Sequence, residues 1–171
     1  MIRCFPVIVQ TGRQLQHNKY FSALFGTEFK RMAGDVTNAA LNYGYTIIRS
    51  CVRKTLTAYG YNCVLGIHHI NEQNAFNLAD DIMEPFRPLV DLWTDNSCDD
   101  LFEELTKDNR KKLINLVNVP IRIGRKKTRV RYAIDKCVSS LTTAIEKNDP
   151  GLMHLPTLIQ IDEMFEDDED G

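Results

Sequence analysis

No C-x-x-C pair occurs in the 171 residues, and the five cysteines, Cys4, Cys51, Cys63, Cys98 and Cys137, are odd in number and scattered. This argues against a disulfide framework and a zinc ribbon, and fits a reducing cytosol. No apolar run approaches the roughly 20 residues of a membrane span, so no membrane role is expected and the cytoplasm is the expected compartment. The opening MIRCFPVIVQTG has a short apolar run but no small-residue cleavage site, unlike a secretory leader. Internal repeats are missing too. What remains is an ordinary globular balance, 43% hydrophobic and 26% charged, enough for one domain to bury a core without staples.

Net charge is also small, −2, but its distribution is uneven. Residues 1–60 carry +6, residues 61–100 carry −7, residues 101–161 carry +6 and residues 162–171 carry −7. An acidic island therefore lies between two basic segments. Such blocks are either an uneven solvated surface or basic faces for a polyanion flanking acids for a metal. The ending EMFEDDEDG is a charge run without apolar partners and is expected to be a disordered acidic tail over 162–171.

Apolar periodicity indicates a mainly α chain. In KYFSALFGTEF, Tyr20, Phe21, Leu24 and Phe25 fall at helical spacing, and Gly26 follows as a closing residue. The longest helix starts at a cap on Asp35 or Thr37 and stops before Gly60. Val36, Ala40, Tyr43, Ile47 and Cys51 form one stripe on it, and Leu41, Tyr45, Ile48, Val52 and Tyr59 a second. Two stripes make it the central element. Arg49 and Arg53, four apart, share one of its faces, either solvated or holding a phosphate. A second helix is expected over 74–84. There Pro85 removes a donor and forces a kink or restart. A third is expected over 100–117, with Lys107, Arg110, Lys111 and Lys112 outward, and another over about 133–146. Between the last two, VPIRIGRKKTRVRYAI alternates apolar and charged residues about Gly124, predicting a short β-hairpin that runs on through Val130 and Tyr132.

The chemistry-bearing stretch is GIHHINEQNAFNLADDIMEPFRP, Gly66 to Pro88. On a helix, Asp80 and Asp81 each share a face with Glu84. Like charges at that spacing repel, so something offsets them. One candidate is an ion-pair network of Arg87 with Glu84 and Asp91. The other is a divalent cation. Carboxylates suit magnesium or manganese, and an imidazole from His68 or His69 shifts the preference toward manganese.

The strings LNYGY at Leu41–Tyr45, GIHH at Gly66–His69 and ADDIMEPFRPLVD at Ala79–Asp91, in this register, resemble the CRISPR adaptation integrases, above all the type II branch. These are metal-dependent DNA endonucleases that insert spacers into CRISPR arrays in prokaryotic antiviral defence. KYFSALFG at Lys19–Gly26 has a counterpart as well, and the likeness covers roughly residues 19–145.

The resemblance implies the helical C-terminal domain of that fold over 19–161, with the family's N-terminal β-domain absent and residues 1–18 an atypical segment. It implies a Mg2+ or Mn2+ site in which His69 matches the family's histidine and Glu84 its further acid, with Asp81 as a neighbour or additional ligand. It implies a reaction in which a DNA 3′-hydroxyl attacks a phosphodiester, with prespacer and CRISPR repeat as substrates, in a homodimer assembled with the second CRISPR adaptation protein. Against such DNA, Arg125, Lys126, Lys127, Arg129 and Arg131, with Arg122, would contact the backbone, if the hairpin is not merely solvated. One departure matters. The register places the family's first metal glutamate at Arg13, and a cation there opposes a metal. Impaired catalysis in a truncated form is therefore expected, the alternative being a non-catalytic helical DNA-binding or dimerisation module.

Overall fold

The computed structural model of the protein describes residues 20–159. The expectations for residues 1–18 and for the acidic tail, and the position of Arg13, lie outside the described residues.

A helical turn, α1 (20–25), is followed by the long helix α2 (Val36–Ala58). Asp35 starts α2 by accepting the Asn38 backbone N–H at 2.7 Å, which satisfies one of the four donors a helix start leaves open. Gly60, at φ +84°, lies just past its end. The faces of α2 are unequal. Leu41, Ile48 and Val52 of the second stripe are fully buried, so that stripe is the core-facing one and gains Leu56, while Ala40 of the first stripe is also fully buried. Tyr43 and Cys51 of the first stripe pack against the core edge, and Tyr59 is exposed. Gly44 also faces inward: a Cβ there would stand 2.4 Å from Val90 Cγ1. The glycine of LNYGY thus lets the neighbouring helix approach the α2 backbone.

That neighbour is the restarted second helix. The acidic stretch forms α3 (Asn77–Met83), a 3-10 turn (Glu84–Phe86) and α4 (Arg87–Asn96), so Pro85 breaks the helix where expected. Phe86, Leu89 and Val90 are fully buried. The following helix, α5 (Lys107–Asn115), is shorter than expected, because Thr106 caps it by accepting the Asn109 N–H at 3.1 Å. Residues 100–106 are outside it.

The hairpin is β1 (Pro120–Ile123) and β2 (Lys126–Arg129), antiparallel, with Ile121 and Ile123 inward. It ends earlier than the alternation indicates. Val130, fully buried, starts helix α6 (Val130–Glu146), so the strand pattern through Tyr132 and a helix start near 133 are both corrected. A third strand, β3 (Pro156–Thr157), was not legible; it pairs antiparallel with β1 to give the order β2-β1-β3. Helices α3 to α6 pack around α2, and β3 abuts the 3-10 turn of Glu84. The whole is mainly α with a small sheet. Among the described residues all cysteines are free thiols. Burial pushes the Cys137 thiol up to about 12, which keeps it protonated and unreactive.

Asp91 sits at the seam of α1, α2 and α4. It is 2% exposed, and it accepts from the Tyr20 hydroxyl at 2.8 Å and from the Tyr45 hydroxyl. The Arg87–Asp91 ion pair weighed from sequence does not form: no Arg87 bridge occurs within 4.0 Å among the described residues. Burial raises the Asp91 carboxyl above its ordinary 3.8, against the lowering effect of the two hydroxyls and of Arg87 and Arg31. A raised folded-state value means the protonated form suits the fold. The contribution of Asp91 to stability is therefore fully present below about pH 3.8 and declines as pH rises toward the folded value. Asp91→Asn keeps one acceptor and one donor for the two hydroxyls and removes this titration. The expected result is a melting difference, variant minus parent, that grows more positive as pH rises above 4, read by thermal melts across pH.

Candidate functional site

The stretch 64–71 has no regular structure of its own and is held by side chains of α3. Asn77, 3% exposed, donates through Nδ2 to the carbonyls of Val64 at 3.0 Å and Asn71 at 2.8 Å. Asp81 holds the middle. Its Oδ2 accepts the backbone N–H groups of Ile67 at 2.6 Å and His68 at 2.9 Å. Its Oδ1 accepts the His69 N–H at 3.1 Å and lies 2.6 Å from His69 Nδ1. Gly66 is required by this closeness: a Cβ there would fall 2.0 Å from the His69 carbonyl oxygen and 2.8 Å from Asn77 Cβ. The glycine of GIHH thus positions its second histidine.

The Asp81 contact fixes the imidazole. A carboxylate only accepts, so Nδ1 carries the proton, and in the neutral ring Nε2 keeps its lone pair. Nε2 is 3.9 Å from Glu84 Oε1, too far for a hydrogen bond. The His69 and Glu84 side chains are 28% and 27% exposed, so both are partly open to solvent, whereas Asp81 is 7% exposed. This is a partly exposed nitrogen–oxygen donor pair with a buried carboxylate behind the imidazole, the arrangement that orients metal-ligating histidines. One imidazole and one carboxylate suit manganese, or magnesium with its other positions on water or phosphate oxygens. Among the described residues no three His, Cys, Asp or Glu side chains converge as a metal-holding group. The donor pair therefore fits part of a site.

The structure thus brings His69, Asp81 and Glu84 together and gives Asp81 four contacts that use both its oxygens. His68 is exposed, its ring edge-on to His69 with centroids 5.9 Å apart. Asp80 turns elsewhere, accepting from Asn74 at 2.7 Å and lying 3.7 Å from Arg49. Arg49 and Arg53 both lie over the Phe76 ring, at 5.4 and 4.8 Å. Arg125, Lys126, Lys127 and Arg129 are exposed on the hairpin, with β2 on the sheet edge opposite β3, and Arg131 on α6 lies 4.9 Å over the Tyr132 ring. Two further arginines line a cavity beside α2: Arg31, not singled out from the sequence, and Arg87, read there only as an ion-pair partner. Arg31 donates to Asn38 Oδ1 at 2.8 Å and Asn42 Oδ1 at 2.7 Å, and Arg87 lies 5.3 Å over the Tyr45 ring.

The site is thus a loop histidine held beside a carboxylate on the turn where the acidic helix restarts. The fold matches a casposase bound to integration product, with a TM-score of 0.61 at 20% identity, over 77% of this chain and 45% of that one. The family model for CRISPR associated protein Cas1 matches residues 19–98. A CRISPR-associated endonuclease Cas1 of Neisseria meningitidis serogroup C is 40% identical over 146 residues, 84% of this chain and 48% of that protein. A CRISPR-associated protein Cas1 of Methanobrevibacter ruminantium is 33% identical over 105 residues, 59% of this chain and 31% of that protein. The chain belongs to the CRISPR-associated Cas1 family. It spans about half the length, or less, of these curated relatives.

Among the described residues no helix is long and apolar enough to cross a membrane.

Proposed function

We propose that this chain provides the helical catalytic-type domain, residues 19–161, of a CRISPR spacer-acquisition integrase and endonuclease. The observation that carries it is the His69 Nε2–Glu84 Oε1 pair, on two partly exposed side chains, with His69 set by Asp81. His69 and Glu84 would hold Mg2+ or Mn2+, and Asp81 would orient His69 from behind. When bound, the ion supplies Lewis acidity and positive charge to a phosphodiester. The reaction is a transesterification. A DNA 3′-oxygen forms the new bond to phosphorus, the bond to the displaced strand's oxygen breaks, and the proton of the attacking hydroxyl leaves to solvent. The nucleophile comes with the DNA, so the protein's task is alignment. Arg49, Arg53, Arg125, Lys126, Lys127, Arg129 and Arg131 would contact the phosphates of prespacer and repeat, in a homodimer joined by the second CRISPR adaptation protein.

The test is manganese-dependent cleavage of branched DNA by the purified protein. His69→Ala and Glu84→Ala are expected to lower it at least 100-fold with the fold retained by circular dichroism. Equal activity in parent and variants overturns the assignment. A second reading has its own observation: Arg13 stands where the family register calls for a glutamate. On that reading catalysis is impaired and the chain retains DNA binding or dimerisation. DNA binding without turnover in the parent supports it.

A further inference from the structure

A cavity of about 350 Å3 opens between α2 and the α3–α4 junction, and three guanidiniums, Arg31, Arg49 and Arg87, line it. Asp80 is the single carboxylate in that lining, so the wall carries a net charge of +2. Like charges gathered on one wall repel; Asp80 lies 3.7 Å from Arg49, and the buried Asp91 is in electrostatic reach of Arg87 and Arg31 but pairs with neither. Arg31 is held by two neutral amides, Asn38 and Asn42. Arg31 and Arg87 share one ring, with their guanidinium carbons 5.5 and 5.3 Å from the centre of Tyr45. Asp91, behind that ring, is engaged by tyrosine hydroxyls. Arg87 makes no ion pair among the described residues, and its buried Nε has no hydrogen-bond partner. An oriented, unpaired guanidinium in a cationic cavity is chemistry for a phosphate, whose oxygens match the planar fork.

Position narrows the ligand. Asp80, Met83 and Arg87 line the cavity and bracket Glu84 in the chain. The 3-10 turn Glu84–Phe86 thus carries the carboxylate that lies nearest His69 Nε2 and leads directly into the cavity's arginine. The volume is at the lower end of the roughly 300–1,000 Å3 of ligand sites, room for a phosphate with its sugar. We propose that this cavity seats a backbone phosphate of the DNA strand engaged at the His69–Glu84 centre, with Arg87 and Arg31 as the grasping groups. This deepens the function proposed above and rests on it.

The experiment measures affinity for labelled branched DNA in EDTA, across a salt series, so that no metal chemistry contributes. Arg87→Gln and Arg31→Gln are each expected to weaken binding about tenfold and to reduce the salt slope by about one. Arg87→Lys keeps the charge and is expected to retain the slope. Circular dichroism and thermal melting confirm the fold of each variant. Unchanged affinity and slope in folded Arg87→Gln and Arg31→Gln overturn the phosphate seat. Displacement of DNA by equimolar inorganic phosphate overturns it in favour of a small-anion site. A parent that binds no DNA overturns the underlying function instead, so the two failures are distinct. Manganese titration of the same variants is expected to match the parent, which separates the cavity from the donor pair.

Discussion

Replacing Asp81 by alanine is expected to destabilise the protein by about 2–4 kcal/mol and to weaken manganese binding by 10- to 100-fold. The stability loss comes from three backbone N–H groups and one imidazole N–H that lose a charged acceptor, with hydrogen bonds to charged groups each worth about 1.5–3 kcal/mol. Water reaching the half-exposed loop returns part of that. The metal loss comes from orientation: removing the group behind a ligating histidine typically costs 10- to 100-fold in affinity. Asparagine is expected to rescue little. Each oxygen of Asp81 accepts at least one backbone N–H, so the amide nitrogen meets a backbone N–H whichever way it turns. Urea unfolding and calorimetric titration with manganese check the two effects separately. Parent-like manganese affinity in folded Asp81→Ala would mean that the imidazole is placed by something else.

Gly66→Ala is expected to have a comparable effect on the site although Gly66 bears no functional group. Its Cβ would fall 2.0 Å from the His69 carbonyl oxygen and 3.1 Å from Asp81 Oδ2, so main chain has to move. Forcing such an overlap costs about 1–3 kcal/mol. Opening the loop relieves it, which withdraws the His69 N–H and Nδ1 from Asp81. Manganese-dependent cleavage is then expected to fall as far as in His69→Ala, while circular dichroism still reports the helices. An active, manganese-binding Gly66→Ala would show that the loop tolerates rearrangement and that the tight turn is not what places the imidazole.

Much of the framework was legible because its causes are local. Asp35 and Gly60 mark the ends of α2, and Pro85 breaks the acidic helix, through short-range hydrogen bonding and sterics. Ile121 and Ile123 show the first hairpin strand by alternation. The same rule misled at Val130, which continues the alternation but is taken into α6 because its fully buried side chain serves the core from a helix. The strand β3 is two residues long and pairs at long range with Arg122 and Ile123, so no local pattern announces it.

The candidate site divides likewise. His69 and Glu84 were found by residue type and by resemblance. That Asp81 works on the loop backbone could not be read from spacing, because it depends on the loop folding back twelve to fourteen residues onto the helix. The meeting of Arg31 with Arg87 was not legible, because they come from segments 56 residues apart that come together over Tyr45. Asp91 looked like the natural partner of Arg87 at helical spacing, but two tyrosines from α1 and α2 reach it instead.

The grip of Asn77 and Asp81 on the chain between Val64 and Asn71 is almost wholly a grip on main-chain atoms. Side chains on its outer surface, Leu65, His68 and Ile70, stand in solvent and carry none of the tethering. That rim is thus open to variation position by position, since nothing beneath it depends on what it displays. Of two adjacent histidines, one is bound to the architecture and the other is free to suit whatever the outer surface meets.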